Sequence, residues 1–379
     1  MEVSGVCIKA FQQLGAKYRS KQNRFAVKIT RVNAIFPDYP NRPLAAWREH
    51  FWQIIVRIDT DAGICGYGYG GGGVAAREIV NRHFSELLVG REFSELQDIL
   101  DIWDYLYKES TPYGRKGLAI MALSGLDLAL WDLLGKAKRK PVHELLGGAR
   151  KEKVRLYATG PDTEWYMDLG ITAQKTSLRT RPGDDGHNAN IDAVEDIRSA
   201  LGPDGIVMID NYMSWNYDEC VTVGKQLEPF NIYFFEDVLT PDSLDELSLL
   251  RDEVAPVLLA GGEHEFTHHG FREVSRTNAL DIWQPDLTWC GGITALLRIL
   301  DLARDAGAKV VPHRGGEVWG LHAIAATDCE DFAELVMGPR SKPRDETREM
   351  WIGSPTPEDG ALSLPTEPGF GVRLNEDFL

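Results

Sequence analysis

The pattern of apolar and polar positions is most regular between Ile206 and Glu334, where five short apolar runs follow one another. The runs read IVMID, IYFFE, VLLAGGE, DIWQPD and KVVPH, and their last residues lie 23 to 27 positions apart. Between the runs, apolar residues have helical spacing, for example at Leu244, Leu247 and Leu250. This alternation indicates βα units with buried parallel strands. Together with VRLYATG, ITAQKTSL and AELV, which supply further strands, the pattern predicts a β/α barrel.

Residues 25–152 have a different pattern and precede the barrel. The runs FAVKITRVNAIF and FWQIIVRID are strand-like, a turn signal occupies Asp59–Gly63, and ICGYGYG supplies a third strand. Helical spacing then extends from about Ala75 to Leu134, which predicts a separate α+β domain made of a meander and helices. We therefore expect four regions: a peripheral extension (residues 1–24), the α+β domain (25–152), the barrel (153–340) and a segment that returns to the α+β domain (341–379).

Composition and charge narrow the class of protein. The chain has 379 residues, of which 43% are hydrophobic and 26% charged, and this balance is typical of a soluble globular protein with two domains. Its net charge of −16 argues against nucleic acid or anionic membranes as partners, because both require a basic face. Five cysteines without a CxxC pair, and the lack of a membrane-length apolar run or an export segment, favour a reduced, cytoplasmic chain.

Three of the predicted strands end in carboxylates, at Asp210, Glu236 and Glu263. Adjacent barrel strands are about 4.8 Å apart, so these side chains should converge at the C-terminal mouth of the barrel. Three uncompensated anions repel one another, and a hard divalent cation such as Mg²⁺ removes that repulsion. Helix capping or pairing with arginine is the alternative for each single acid, but three acids in register favour one Mg²⁺ site.

Asp286 and His313 end the next two predicted strands, 27 residues apart. A carboxylate that holds one imidazole nitrogen fixes the tautomer and makes the other nitrogen a better base. His313 is therefore a candidate general base or acid, although a single histidine at a strand end is more often structural. The neighbouring metal site favours the catalytic interpretation.

Four more residues complete the candidate site. Lys175, on the second strand and across the barrel from His313, could neutralise a substrate carboxylate or an enolate; an exposed strand lysine is the alternative. Glu334 ends or adjoins the eighth strand, and we expect Trp289, just past the sixth, to contact the substrate. The side chain of His264 should point away from that of the preceding glutamate, either as polar support of the pocket or as a second proton donor.

These residues and several longer motifs resemble the enolase superfamily, in its mandelate racemase/muconate lactonising subgroup. The motifs are LDLALWDLLGK, PVHELLGGA, LYATG, VMIDNYMS, GGEHE, QPDLTWCGG, VVPH and EPGFGVRLN, and they span roughly residues 110–379. Within the subgroup the chain is most similar to the L-rhamnonate dehydratases. The resemblance implies a modified TIM barrel with an α+β capping domain that the C-terminal segment completes. It also implies one Mg²⁺ held by Asp210, Glu236 and Glu263.

The same resemblance implies roles for the remaining residues. It makes His313 and Asp286 the acid/base pair, Glu334 the acid that hydrogen-bonds the substrate carboxylate, and Arg42 a substrate-binding arginine. The second strand lacks the second lysine of two-base racemases, as it does in the rhamnonate dehydratases. Homo-oligomers, from dimer to octamer, are also implied. From its position between the first two strands, segment Asp38–His50 could close over the barrel mouth.

These parts predict a Mg²⁺-dependent dehydratase of an acid sugar, which is a carbon–oxygen lyase. His313 would abstract the C2 proton and then act as the acid for the 3-hydroxyl, which gives a 2-keto-3-deoxy acid by syn elimination. Lys175 and Glu334 would stabilise the charge that develops on the substrate carboxylate. L-Rhamnonate or a related aldonate is the first-choice substrate. Two alternatives stay open: an epimerase or cycloisomerase of an acid sugar, and a catalytically silent sugar-acid binding protein.

Overall fold

An antiparallel sheet opens the structure, a computed structural model that describes residues 26–39, 46–179, 186–343 and 346–378. The predicted extension at residues 1–24 lies outside the described residues. The first three strands of the sheet pair as the predicted meander. The sheet has the strand order β3-β2-β1-β4, and its strands are β1 (Val27–Ile35), β2 (Ile54–Thr60), β3 (Cys65–Gly70) and β4 (Glu92–Phe93).

Helices pack against this sheet and complete the N-terminal domain. The long helix α5 (Leu118–Lys138) approaches β3 closely because alternate residues of that strand are glycines: a Cβ atom on Gly68 would lie 2.0 Å from the carbonyl oxygen of Gly125. Within the described ranges, α5 is the one helix long and apolar enough to cross a membrane, and 89% of its apolar window is buried inside the protein. The helical elements are α1 (Arg48–Phe51), α2 (Gly73–Glu78), a π-helical turn (Ile79–Phe84), α3 (Ser85–Leu88), α4 (Leu96–Ser110), α5 (Leu118–Lys138) and α6 (Val142–Leu145).

Eight parallel strands of the described chain form the second domain. Their order is β11-β10-β9-β8-β7-β6-β5-β12, and each pairs in parallel with its neighbours. The N–H of Glu330 donates to the carbonyl of Val310 at 2.9 Å and links the two ends of this order. The strands are β5 (Lys153–Thr159), β6 (Ala173–Ser177), β7 (Ile206–Asp210), β8 (Ile232–Glu236), β9 (Leu258–Gly261), β10 (Ile282–Trp283), β11 (Lys309–Val310) and β12 (Ala333–Val336).

Two separate apolar cores hold the barrel together. A small cluster includes Tyr157, Met208, Phe234 and Val311 and lies apart from the main core, as expected for residues that fill the inside of a barrel. The main core lies between the strands and the outer helices and is continuous with the core of the N-terminal domain. These helices are α7 (Thr163–Asp168), α8 (Gly186–Leu201), α9 (Tyr217–Leu227), α10 (Leu244–Glu253), α11 (Thr267–Thr277), α12 (Gly292–Ala306) and α13 (Val318–Ala326). The predicted modified β/α barrel with an α+β domain is confirmed.

Three barrel strands are shorter than predicted, and this part of the prediction was wrong. β9 ends two residues before Glu263, while β10 and β11 each end three residues before Asp286 and His313. Gly262, with φ +114°, turns the chain after β9. The last two runs contain proline, in QPD and VPH, and proline cannot donate to the strand ladder. The side chains of Glu263, Asp286 and His313 therefore lie on loops just beyond the strands.

The C-terminal segment contacts both domains. Its strand β14 (Ala361–Ser363) pairs with β5 of the barrel, and the N–H of Phe370 donates to Asp132 of α5 at 3.0 Å. Trp351 packs its ring against Tyr69 of the N-terminal sheet, with ring centroids 5.9 Å apart. Its remaining elements are α14 (Glu346–Met350), β13 (Trp351–Ile352), β15 (Arg373–Leu374) and a 3₁₀ turn (Glu376–Phe378).

A buried aspartate joins α5 to the barrel. Asp127 accepts hydrogen bonds from the N–H of Thr294 at 3.0 Å and from its hydroxyl at 2.5 Å. Thr294 lies in the first turn of α12, where backbone N–H groups lack partners within the helix. The aspartate therefore satisfies a helix N-terminus across the domain interface, which gives the LDLALWD motif a structural role.

Candidate active site

The three predicted metal ligands lie at one edge of the barrel mouth. Asp210 and Glu236 are the last residues of β7 and β8 and are partners across the two strands. Asp210 accepts the N–H of Tyr212 at 2.8 Å, and its other oxygen lies 3.6 Å from Nη2 of Arg179. Glu263 follows β9 and sits in a turn. The parallel strands thus bring residues more than fifty positions apart to one edge.

The electrostatics of this edge favour a bound cation. Burial raises the pKa of Glu236 to about 7, and although Lys175 lowers it, Glu334, Asp210 and Glu263 repel its charge. Burial likewise raises the pKa of Glu263 to about 7 against the pull of a nearby histidine. Carboxylates that are costly to ionise together, and that present oxygen atoms, fit a hard divalent ion such as Mg²⁺.

Another group of possible ligands overlaps this set. Atoms of Asp237, Glu263 and His264 lie within 4.8 Å of one another, and Oδ2 of Asp237 is buried without a hydrogen-bond partner. Burial, together with the charges of neighbouring carboxylates, raises the pKa of Asp237 to about 8. We retain Asp210 and Glu236 as the candidate partners of Glu263, because Mg²⁺ prefers oxygen to imidazole nitrogen. Asp237, which directly follows a predicted ligand, was missed from the sequence.

The structure brings Asp286 and His313 together. Nδ1 of His313 lies 2.8 Å from Oδ2 of Asp286, and its Nε2 lies 3.1 Å from Glu263. Burial lowers the pKa of His313, but the charges of Glu263, Glu334 and Asp286 outweigh it and raise the pKa to about 10. Burial raises the pKa of Asp286, but the charge of Arg314 and the hydrogen bond and charge of His313 outweigh this effect and hold the pKa below its usual range. The carboxylate thus fixes one nitrogen and leaves the other facing the candidate ligands.

Lys175 lies inside the barrel rather than on its surface. Only 2% of the residue is exposed, and Nζ lies 2.5 Å from Glu236 and 2.8 Å from Glu334. Burial lowers the pKa of Lys175, but the two carboxylates raise it well above the usual value. Burial raises the pKa of Glu334, but the charges of Lys175 and His313 outweigh this effect and lower the pKa to about 2. Glu334 is therefore an ionised acceptor in this arrangement. The ammonium group of Lys175 contacts the two carboxylates, so it would influence a substrate through their position and charge.

The predicted direction of His264 was wrong. Its Nε2 lies 3.2 Å from Oε1 of Glu263, so the two side chains converge instead of pointing apart. Side chains alternate between faces only in an extended strand, and these two residues sit in a turn. The ring of His264 stacks on Trp289 with centroids 6.0 Å apart, and burial lowers its pKa. Trp289 also lies 5.7 Å from the ring of His313, so it contacts both histidines.

Arg314 is a further residue that the sequence interpretation missed. Its Nε donates to Oδ2 of Asp286 at 3.0 Å, and its backbone N–H donates to Glu334 at 2.8 Å. The guanidinium group lies over the rings of Trp52 and Trp289, 5.5 and 5.4 Å from their centroids. Its backbone has φ +52°, a rare conformation for a residue other than glycine. Its position directly after the candidate base was the available signal.

The N-terminal domain forms one wall of the site. Trp52 lies 6.3 Å from Trp289 between ring centroids, and Arg48 lies over the ring of Trp52 at 3.9 Å. The described end of the predicted closing loop is therefore next to the barrel mouth. Residues 40–45, and with them the predicted substrate-binding Arg42, lie outside the described residues.

Two family models match the chain. The family model "Enolase C-terminal domain-like" matches residues 164–378, and "Mandelate racemase / muconate lactonizing enzyme, N-terminal domain" matches residues 40–147. An L-rhamnonate dehydratase of Saccharopolyspora erythraea is 34% identical over 352 residues, which cover 91% of this chain and 88% of the relative.

Two solved structures are similar to this chain over most of its length. Rhamnonate dehydratase from Gibberella zeae complexed with Mg has a TM-score of 0.84 and 30% identity over 92% of this chain and 94% of its own. The 3,6-anhydro-D-galactonate cycloisomerase from Zobellia galactanivorans has a TM-score of 0.81 and 28% identity over 92% of this chain and 97% of its own.

Proposed function

The chain belongs to the mandelate racemase/muconate lactonizing enzyme family of the enolase superfamily, and we propose that it is a Mg²⁺-dependent acid-sugar dehydratase. The reaction is that of a hydro-lyase, and L-rhamnonate or a related aldonate is the first-choice substrate. The observation that carries the proposal is the His313–Asp286 pair, 2.8 Å apart, beside the buried carboxylates of the barrel mouth. Relatives and structures with the rhamnonate dehydratase name support the substrate class.

The carboxylates of the mouth would hold the metal ion. Asp210, Glu236 and Glu263 are the proposed ligands: the first two offer oxygen at the ends of the adjacent strands β7 and β8, and Glu263 offers oxygen from the turn just after β9. When bound, Mg²⁺ supplies a Lewis acid for the carboxylate and 2-hydroxyl of the substrate and neutralises the charge that keeps His313 protonated. Both oxygens of Glu236 accept hydrogen bonds already, from Lys175 and Gln284, but a carboxylate has about four acceptor positions and can serve more than one partner.

His313 performs both proton transfers in the proposed mechanism. Because Asp286 fixes Nδ1, Nε2 takes the C2 proton of the sugar acid and leaves an enediolate. The same nitrogen then gives the proton to the departing 3-hydroxyl, which leaves as water, and the C2–C3 enol ketonises to a 2-keto-3-deoxy acid. One residue can serve both steps only from one face, which makes the elimination syn. Ser177 stands where a second-strand base would lie, so the opposite face has no proposed base.

Lys175 and Glu334 organise the charge around the reacting carboxylate. Lys175 holds two carboxylates in place at 2.5 and 2.8 Å and balances their charge in a buried site. Glu334 accepts from Arg314 and Thr159, and its ionised form suits acceptance of a substrate hydroxyl rather than donation. The ring of His264 stacks on Trp289, which also packs against His313. In this proposal these residues orient the substrate while His313 moves the proton.

The chain is also proposed to act as a cytoplasmic homo-oligomer. The described cysteines Cys65, Cys220, Cys290 and Cys329 are unpaired, which fits a reducing compartment. Light scattering after size exclusion would test the oligomer, and a single species at 42.4 kDa would contradict it. Fractionation of the producing cells would test the compartment.

A screen of mono- and diacid sugars with purified protein and Mg²⁺ tests the activity. Formation of a 2-keto-3-deoxy acid, read by semicarbazide absorbance, is expected with L-rhamnonate or a close epimer. The control is His313→Asn under the same conditions. A library in which no sugar is dehydrated, although Mg²⁺ binds, would contradict the proposal.

An epimerase or cycloisomerase is the second candidate, and the similarity to the cycloisomerase from Zobellia galactanivorans favours it. Epimerisation and dehydration differ in what happens at C2 of the sugar acid. Turnover in deuterium oxide labels C2 of the recovered sugar acid without loss of water if the chain epimerises. A protein that binds an aldonate and neither exchanges nor eliminates would be a silent binding protein instead.

A further inference from the structure

A buried glutamine of the N-terminal domain contacts the loop that carries Asp286. Gln53 directly precedes β2 and is 0% exposed. Its amide nitrogen Nε2 donates to the hydroxyl of Thr288 at 2.8 Å, and its amide oxygen accepts from Nε1 of Trp289 at 2.9 Å. The N–H of Gly71 donates to the carbonyl of Thr288 at 3.0 Å. The loop after β10 is therefore held from outside the barrel at two consecutive residues.

The chemistry of the partners fixes the direction of each hydrogen bond. The indole N–H of Trp289 can only donate, so the amide oxygen of Gln53 must face Trp289 and its NH₂ group must face Thr288. The hydroxyl of Thr288 also lies 2.5 Å from Nη2 of Arg314, which can only donate. Two donors on one hydroxyl leave its single proton for Oδ1 of Asp286, 2.7 Å away.

From this geometry we infer that Gln53 is a positioning residue for the acid/base pair, an inference that rests on the function proposed above. Oδ1 of Asp286 is held by the hydroxyl and the N–H of Thr288, both at 2.7 Å, and Oδ2 is held by His313 at 2.8 Å. With both oxygens fixed, Asp286 does not rotate, and His313 keeps Nε2 towards the site. The Gln53 relay, defined as Gln53–Thr288–Asp286–His313, joins the N-terminal domain to the base.

Gln53 also places the ring against which the base packs. The indole of Trp289, held by the amide oxygen of Gln53, lies 5.7 Å from the ring of His313 and 6.0 Å from that of His264. Loss of this one amide therefore removes one hydrogen bond that holds Thr288, a partner of Asp286, and the hydrogen bond that holds Trp289, a packing partner of His313. The geometry of the base depends on the N-terminal domain being seated on the barrel.

Two substitutions at Gln53 separate the relay from simple packing. Gln53→Met keeps the chain length and removes both hydrogen bonds, while Gln53→Glu keeps the acceptor for Trp289 and, at a pH where the carboxyl is ionised, cannot donate to Thr288. In the Mg²⁺-loaded enzyme with its best acid sugar, each should lower kcat roughly 10- to 100-fold. In Gln53→Glu, which keeps the acceptor for Trp289, KM and the affinity for Mg²⁺ should change by less than about threefold, because neither the substrate nor Mg²⁺ touches residue 53. Gln97→Met, on the exposed face of α4, is the matched control and should keep wild-type turnover.

A double-substitution cycle tests whether the effect acts through the hydroxyl of Thr288. Thr288→Val should lose about as much kcat as Gln53→Met, and the double variant should lose little more than either. Thr288→Ser keeps the hydroxyl and should recover most of what Thr288→Val loses. Unchanged kcat in both Gln53 variants, or losses that multiply in the double variant, would overturn the inference.

A crystal structure of the Gln53→Glu variant separates failure of the relay from failure of the proposed function. If the wild-type enzyme dehydrates none of the acid sugars, the proposed function fails, and the crystal structure alone then tests the relay. Loss of the Thr288–Asp286 hydrogen bond with rotation of the His313 ring supports the relay. Wild-type positions for both residues overturn it.

Discussion

Two sets of buried carboxylates in this protein have opposite surroundings. Asp127 and Asp132 lie on α5, and burial raises the pKa of each, but the partners that then act on them are donors and cations that lower it. Glu236 and Glu263 at the barrel mouth are equally buried, yet several of their neighbours are carboxylates that raise the pKa further. The first set is satisfied by donors and cations of the chain, whereas the second set also repels its carboxylate neighbours, and an added cation would relieve that repulsion.

This difference separates structural from functional acids better than burial alone. Asp132 accepts from the backbone of Tyr67 at 2.8 Å and of Phe370 at 3.0 Å and from Lys136 at 2.6 Å, so it joins three parts of the chain. At the mouth, Oδ2 of Asp237 has no hydrogen-bond partner at all. An acid whose oxygens accept from fixed donors stabilises the fold. Acids that lie close to one another lower the stability, and their free acceptor positions can bind a ligand.

The largest expected effect falls at the mouth and should leave the fold intact. His313→Asn removes the group proposed for both proton transfers, so kcat for dehydration should fall about 10⁴-fold, the upper end for general acid–base catalysis. Calorimetric titration should show Mg²⁺ binding close to that of wild type, and the melting temperature of the loaded protein should stay within a few degrees. Substantial turnover by this variant would remove His313 as the base.

The affinity for Mg²⁺ should depend on pH through the mouth carboxylates. Glu236 and Glu263 have pKa values of about 7 without metal, and each must lose its proton to bind a cation. Two such protons predict that the apparent affinity falls about a hundredfold between pH 8 and pH 6. Isothermal titration across this range measures it. An affinity that is constant over the range would contradict the release of these two protons on binding.

Substitution in the satisfied set should affect stability alone. Asp127→Asn keeps the shape but places an NH₂ group against a donor of Thr294, which leaves buried polar groups unsatisfied. The free energy of unfolding should fall by about 2 kcal/mol, as measured by urea denaturation. The affinity for Mg²⁺, measured on the same preparation, should match wild type. A change in metal affinity with no loss of stability would reverse the distinction between the two sets.

A matched pair of aspartates gives the smallest and sharpest contrast. Asp210→Asn should lower the affinity for Mg²⁺ at least about tenfold, whereas Asp237→Asn should change it by less than about threefold. Because Asp237 is crowded by other carboxylates, its neutralisation should raise the free energy of unfolding of the metal-free protein by about 1 kcal/mol. Both variants are compared by calorimetry and by urea denaturation with a chelator. The opposite ranking of affinities would assign the ion to Asp237, Glu263 and His264.

The sequence by itself determined the architecture and most of the candidate chemistry. A period of 23 to 27 residues between apolar runs predicted the barrel, because each βα unit needs about that length. Residues at equivalent strand ends must meet at the mouth, which is why Asp286 and His313 could be paired before their 2.8 Å contact was seen. The strands before Asp286 and His313 are shorter than the apolar runs predict, because the prolines of QPD and VPH cannot donate to the strand ladder.

Only the tertiary structure decided which groups balance one another. Lys175 was expected to face the substrate, but closure of the barrel places it between Glu236 and Glu334, from strands 61 and 159 residues further along the chain. Gln53 contacts Thr288 across a separation of 235 residues, and nothing local marks either residue. Periodicity fixes the face of a strand on which a side chain lies. The distance to a partner on a distant strand or another domain depends on how the sheet closes and the domains dock, and local sequence does not encode it.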